Sequence, residues 1–299
     1  SGTTGVKEGG FVLLIINKRN SHYWSRFFRD LNNHEAGPNL NIETIIPFQD
    51  HVWLILRKTK QAQAITFFDG EHFIKQMITT NKGSEVKAVL DYEGFIGEYR
   101  KTNSPHRTKI KYSDLVFSRF NLTAKRWFMP SFAGKPLSSF TSYYYGERPS
   151  NKTKKIKMVD VFTYPKKSSG GLDYKNIPWT QMPPGTHKTT SIRKINKSCL
   201  LISLTMKDLN PVWFEYENKP IYVNPRTIAL EVDNEKALGL FLEFQLLEKH
   251  TQEQLKHLET NRRSMGYSFN EIKESLKIKL PSLKKQQEYI NEVVNKKIK

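Results

Sequence analysis

The chain holds a single cysteine, Cys199, in 299 residues. That excludes an internal disulfide and any cysteine-rich zinc site. Cys199 begins the apolar run Cys199-Leu200-Leu201-Ile202, where a buried, inert thiol is expected. No apolar run approaches the roughly 18 to 20 residues that cross a bilayer, and no signal peptide is evident, so a cytoplasmic protein is expected. Acidic residues are also scarce, 29 Asp and Glu against 48 Lys and Arg, for a net charge of +19. A magnesium nuclease needs clustered carboxylates, typically a Pro-Asp followed by Glu-x-Lys on a strand. The nearest acidic pairs, Asp69-Gly70-Glu71 and Glu231-Val232-Asp233, lack that spacing and read as surface.

The positive excess is spread along the chain. There are 21 basic and 13 acidic residues up to Ser150, and 27 and 16 after it, which a single charged tail would not produce. A field of this size favours a polyanion, and nucleic acid is the commonest one; a ribosomal-type surface charge is the alternative. Hydrophobic content of 37% with 12% aromatics describes a folded protein, and the length suffices for two domains. The chain begins Ser1-Gly2-Thr3-Thr4-Gly5 without Met, which reads as an expression scar or a cut into a longer protein.

In chain order, Phe11 to Ile16 reads as a strand after Gly9-Gly10. Ser21 to Leu31 spaces Tyr23, Trp24, Phe27, Phe28 and Leu31 as a helix does. Ile42 to Ile46 and His51 to Leu56 are strands joined by a turn, and Ala64 to Phe68 is a strand leading through Asp69-Gly70 into a second helical stretch. Strands alternating with helices argue for an α/β arrangement, α+β in detail. A composition break rich in Ser, Tyr, Gly and Pro places a boundary between about Pro130 and Ser150. Beyond it, Ile195 to Ser203 and Ile221 to Leu230 read as strands, and Glu235 to Glu259 as one helix with an apolar stripe.

Near the end, Leu276, Ile278 and Leu280 alternate with Lys277 and Lys279 as in a strand wet on one face. Pro281 stops that pattern, Ser282 is placed to cap a helix, and the apolar positions then fall at helical spacing through Leu283, Tyr289, Ile290, Val293, Val294 and Ile298. The run Ile278-Lys279-Leu280-Pro281-Ser282-Leu283, followed by Gln286-Gln287 and Ile290, resembles the signature that closes target-recognition domains of type I restriction-modification specificity subunits. Upstream, Ile110 to Leu115, then Phe120-Asn121-Leu122 and Arg126-Trp127-Phe128, is similar to the C-terminal part of the catalytic domain of N6-adenine DNA methyltransferases.

The resemblance implies four segments: 1–130, the C-terminal part of a methyltransferase-like domain; 131–151, a linker; 152–281, a target-recognition domain; and 282–299, a spacer helix of coiled-coil type. It implies sequence-specific recognition of double-stranded DNA and a terminal helix that docks on methyltransferase or restriction subunits, or on a second copy. Residues expected to meet DNA are Lys152, Lys154, Lys155, Lys157, Lys166, Lys167, Lys175, His187, Lys188, Thr189, Arg193 and Lys194, since cations neutralise phosphates while Thr and His reach base edges. The expected partner face comprises Leu283, Gln286, Tyr289, Ile290, Val293 and Val294.

Two family features are missing. No Phe-x-Gly-x-Gly turn for S-adenosylmethionine exists in the chain, and the nearest string to an Asn-Pro-Pro-aromatic motif, Asn210-Pro211-Val212-Trp213, has Val in place of the second Pro and reads as a turn. This chain alone is therefore expected neither to bind that cofactor nor to transfer a methyl group; an intact parent is expected to be a site-specific adenine methyltransferase that uses S-adenosylmethionine. No metal site is expected. A complete methyltransferase or nuclease with unrecognised motifs, and a basic assembly scaffold, are the alternatives.

Overall fold

A computed structural model describes residues 9–17, 40–48, 51–58, 64–79, 85–117, 122, 124–150, 154–160, 164–182, 192–259 and 266–298. The helix read over Ser21 to Leu31 lies outside these. The chain divides into two compact units, Ser1–Pro130 and Ser131–Lys299.

In the first unit, strands β1 (Phe11–Asn17), β2 (Leu40–Pro47), β3 (His51–Lys58), β4 (Ile65–Phe68) and, later, Arg107–Ile110 form one mixed sheet. The expected second helix after Asp69-Gly70 is instead one tight turn, Glu71–Phe73, followed by the hairpin β5 (Ile74–Thr79) and β6 (Glu85–Leu90). Ile74 and Met77, Ile78 suit a helical stripe and a strand equally, and pairing with β6 decides the outcome. Helix α1 (Tyr92–Tyr99) starts at Asp91, whose carboxylate accepts the Gly94 N–H at 3.2 Å. Strand β7 (Arg107–Ile110) pairs with β4, and short helices α2 (Tyr112–Phe117) and α3 (Ala124–Trp127) follow. The sheet is covered on both faces. Leu54, Phe67, Leu115 and Leu122 pack on one, with Trp127 and Phe128 against them; Phe48, Phe68, Phe73 and Phe95 pack on the other. The Asp-Leu, Asn-Leu and Arg-aromatic pieces read from the sequence thus supply core side chains.

The second unit begins where a linker was expected. Residues 131–150 are built into it: β8 (Lys135–Pro136) and β9 (Thr141–Tyr144) are sheet strands, since Thr141 to Tyr144 pairs with Val232 to Ala229. Small polar residues on an edge strand have the composition of a loop. Strands β10 (Lys155–Val159), β11 (Trp179–Gln181) and β12 (Arg193–Ile195) join a first sheet, and β13 (Cys199–Ser203) and β14 (Val212–Phe214) a second. The two strands expected at 195–203 and 221–230 each divide. Ile195 ends β12 and Cys199 opens β13 in the other sheet, while Asn224-Pro225 separates β15 (Ile221–Val223) from β16 (Thr227–Val232). At that break the Asn224 carboxamide oxygen accepts the Arg226 N–H at 2.9 Å, a local turn that competes with the ladder. The sheet orders are β11-β10-β15-β12 and β14-β13-β16-β9.

Both sheets contribute to one core containing Val159, Ile195, Leu201, Phe214, Ile221 and Ala229. Cys199 is fully buried in it, as expected, and burial pushes its thiol pKa far up. The expected single helix over Glu235 to Glu259 is two, α4 (Gly239–Leu247) and α5 (Lys249–Leu258), broken at an extended Glu248. Thr251 Oγ1 and Gln252 Nε2 donate to the carbonyls of Gln245 and Leu246 at 2.7 Å each, satisfying the end of α4. Gly239 lies flat against the Trp213 ring, where a Cβ would stand 2.1 Å from the indole.

After α6 (Phe269–Ser275), the strand expected over Leu276 to Leu280 shrinks to β17 (Lys277–Ile278), paired with β8. Gln254 takes the place of a further strand there. Its amide accepts from Lys277 N and donates to Lys277 O, each at 2.8 Å. Helix α7 (Leu283–Ile298) closes the chain as expected.

Candidate nucleic-acid interface

Strand β10 sets up the site. Its register places Lys155 opposite Gln181 and Lys157 opposite Trp179 on the edge strand β11. Directly opposed residues share a face, so Lys155, Lys157 and Trp179 stand together. Lys157 is buried: its ammonium donates to the carbonyls of Tyr174 at 2.7 Å and Lys175 at 3.2 Å. The same ammonium lies 4.4 Å from the Tyr174 ring centre and 5.6 Å from that of Trp179. One buried cation therefore holds two aromatic rings and the turn that presents Lys175. The indole of Trp179 is 64% exposed, a cost that a solvated surface does not repay.

Beside Tyr174 opens a hollow of about 430 Å³, lined by Lys167, Lys175 and Lys219 together with Asp173, Glu215 and Glu217. Asp173 is committed to the local turn, where it accepts from Asn176 Nδ2 at 2.6 Å and Lys175 N at 3.2 Å. Lys219, Glu215 and Glu217 were not singled out by sequence. They sit on an ordinary polar turn, and only the fold brings them to Lys167.

The expected DNA-contacting residues separate into four groups. Lys154, Lys155, Lys167 and Lys175 are exposed on or beside this surface. Lys157, Lys166 and Lys194 have their ammonium groups partnered by protein atoms. Lys166 turns its ammonium to Pro211 O at 2.9 Å and Asn210 Oδ1 at 3.2 Å, and burial holds its pKa below the usual lysine value. Lys194 exchanges backbone hydrogen bonds with Glu147 and pairs with its carboxylate at 3.4 Å. Arg193 is half-buried in the sheet opposite Val223. Lys152, His187, Lys188 and Thr189 lie outside the described residues.

The expected partner face of α7 is corrected in part. Gln286 is fully buried, accepting from Leu238 N at 2.9 Å and donating to Lys236 O at 3.0 Å and Pro281 O at 2.9 Å. Ile290 is buried, and Tyr289 meets the Phe241 ring edge-on at 5.6 Å while its hydroxyl donates to Glu248. These three tie α7 to the unit's own core. Leu283 is exposed, and Val293 and Val294 are half-buried.

The Asn210 to Trp213 string does not fit an adenine pocket. Leu209 and Asn210 adopt φ of 62° and 37°, Asn210 accepts from Lys166, Pro211 and Val212 are buried, and Trp213 is spent on Gly239. Among the described residues no group of three or more His, Cys, Asp or Glu is placed to hold a metal ion, and no helix is long and apolar enough to cross a membrane.

No family model and no curated protein matches the chain. Among solved structures, similar chains include the following three. The HsdS subunit from Thermoanaerobacter tengcongensis shares 12% identity at a TM-score of 0.35, covering 57% of this chain and 39% of that one. A structure concerning complex assembly and conformational transition of the type I R-M system shares 11% at 0.34, covering 61% and 43%. The type IIG restriction endonuclease BpuSI shares 12% at 0.37, covering 97% and 43%. The chain spans about two-fifths of the length of these proteins.

Proposed function

We propose that the chain is a DNA-recognition module of a restriction-modification protein, with the second unit reading double-stranded DNA. The observation that carries this is the Tyr174–Lys157–Trp179 cluster, which fixes two aromatic rings next to Lys155, Lys167, Lys175 and Lys219. The lysines supply a salt-dependent, sequence-blind attraction to phosphates. Glu215 and Glu217 are acceptors suited to base amino groups, and donors and acceptors side by side are what base-edge readout requires. The first unit is read, on its sequence resemblance, as the C-terminal part of an N6-adenine methyltransferase domain. The intact parent would use S-adenosylmethionine through residues outside this chain. The half-buried Val293 and Val294 and exposed Leu283 are read as what remains of α7 for partner subunits or a second copy.

The test is selection of bound duplexes from a random-sequence pool. Enrichment of one motif, lost in a K167A/K175A variant, is expected. Binding that leaves the pool unsorted would remove the recognition reading.

A further inference from the structure

Lys166 and Lys167 are adjacent and chemically identical, yet the fold sends them to opposite tasks. The segment is a closed loop: Lys166 and Leu172 form a bridge, Lys167 N donates to Gly171 O at 3.0 Å, and Gly170 N donates to Lys167 O at 3.0 Å. Its tip is therefore a turn, Lys167-Ser168-Ser169-Gly170. Gly170 and Gly171 close the loop at φ of 87° and 78°, a conformation open chiefly to glycine.

Below the tip, Glu243 of α4 is buried, and its Oε2 accepts Gly171 N at 3.0 Å and Trp213 N at 2.7 Å. One carboxylate oxygen thus fastens the basic loop to the 209–213 turn. Lys166 makes the second fastening, from the loop to Pro211 O and Asn210 Oδ1. Leu172 N donating to Trp213 O at 2.8 Å is the third. On the α4 side the loop also lies close against Phe244 and Leu240, since a Cβ on Gly170 would stand 2.7 and 2.8 Å from them. A turn with lysine and serines at its tip would ordinarily move freely. Here three hydrogen-bonded ties and close packing hold it, and its outward lysine lines the hollow described above.

We infer that Glu243 and Lys166 are positioning residues that hold the Lys167-Ser168-Ser169 tip as a preformed phosphate contact, with Lys167 as the cation that meets DNA. The inference rests on the DNA-binding reading and assigns this loop its role within it. Preformation matters because ordering a lysine-bearing loop on binding costs affinity, which a loop fixed beforehand does not pay.

The experiment measures dissociation constants for a single duplex across a salt series with wild type, K167A, E243A, E243Q and the K167A/E243A double variant. K167A is expected to weaken binding roughly 3- to 10-fold and to reduce the salt slope by about one phosphate contact. E243A should reproduce both effects with Lys167 still present, E243Q, which keeps an acceptor for the two N–H groups, should restore both, and the double variant should bind no worse than either single one. Should E243A fail to fold, K166M, whose stem is exposed, replaces it in the same cycle. Additive losses, or an E243A or K166M protein with the wild-type salt slope, would overturn the positioning role while leaving DNA binding intact. Wild type that binds no duplex at all would instead overturn the DNA reading itself.

Discussion

Gln286 accepts the backbone N–H of Leu238 at 2.9 Å, joining positions 48 residues apart. The same amide donates to Lys236 O and Pro281 O, so one buried side chain satisfies the entry to α4 and the entry to α7 together. Leu238 is the residue before α4 and has no side-chain cap of its own. Replacing Gln286 by Ala strands buried polar groups and should lower stability by about 2–4 kcal/mol. Gln286→Glu keeps the acceptor but loses both donations and buries a charge, and should be at least as damaging. Chemical denaturation of the two variants checks this; a loss below that of an ordinary surface substitution would mean that α7 is held by other contacts.

Glu243 gives a pH signature. Burial raises its carboxyl pKa, against the lowering effects of the Trp213 N–H, Lys166 and the Gly171 N–H. An acid whose folded pKa exceeds its unfolded one binds protons more tightly when folded, so this residue's contribution to stability declines as pH rises from 4.5, its ordinary value, through the raised pKa. Gln at this position does not titrate. The melting temperature of E243Q relative to wild type should therefore climb with pH over that window. A constant difference would show that Glu243 does not titrate there.

The first unit carries a device of the opposite sign. The rings of His72 and His106 stack at 3.9 Å, and the carboxylates of Asp69 and Glu98 act on His106. Burial, then the charge of His72, lowers the His106 pKa below 6.5, while Asp69 and Glu98 oppose the shift. A base with a depressed folded pKa contributes stability that is present above its unfolded value and fades as pH falls through 6.5 toward the folded one. His106→Gln should flatten the acid side of the thermal-stability profile. Superimposable wild-type and variant profiles between about pH 5 and pH 7 would contradict this.

Lys157→Met tests the underpinning of the site. The substitution keeps an unbranched stem but removes the donor to two carbonyls and the cation shared by Tyr174 and Trp179. Trp179 fluorescence should shift and DNA affinity should fall, although Lys157 itself is too buried to touch a phosphate. An unchanged affinity would mean that the aromatic pair is not part of the interface.

Much of the architecture was legible where the signal was local and strong. Phe11 to Ile16, the hairpin strands 42–46 and 51–56, the turn at Asn210-Pro211 and the helix from Leu283 all come from short-range periodicity or from proline. Breaks were legible only in part. Asn224-Pro225 is a visible turn pair inside an apolar run, whereas Glu248 interrupts a continuous helical stripe because Thr251 and Gln252 reach back to carbonyls, which periodicity does not report. At the proposed site, charge pointed to a region of the second unit but not to which lysines face outward. Lys166 and Lys167 differ by one position in a loop whose path is set by Glu243, 76 residues beyond Lys167 in the sequence. Likewise Gln286 has the composition of a solvated helix residue, and only its partners at 236, 238 and 281 reveal it as core.

If the second unit reads DNA, its lysines neutralise phosphates of a duplex. The most direct test is the slope of log Kd against log salt for one duplex between about 50 and 200 mM salt. A steep dependence equivalent to several phosphate contacts, reduced in K155A/K167A/K175A, is the predicted result. Affinity indifferent to salt, or a slope untouched by those substitutions, would contradict it.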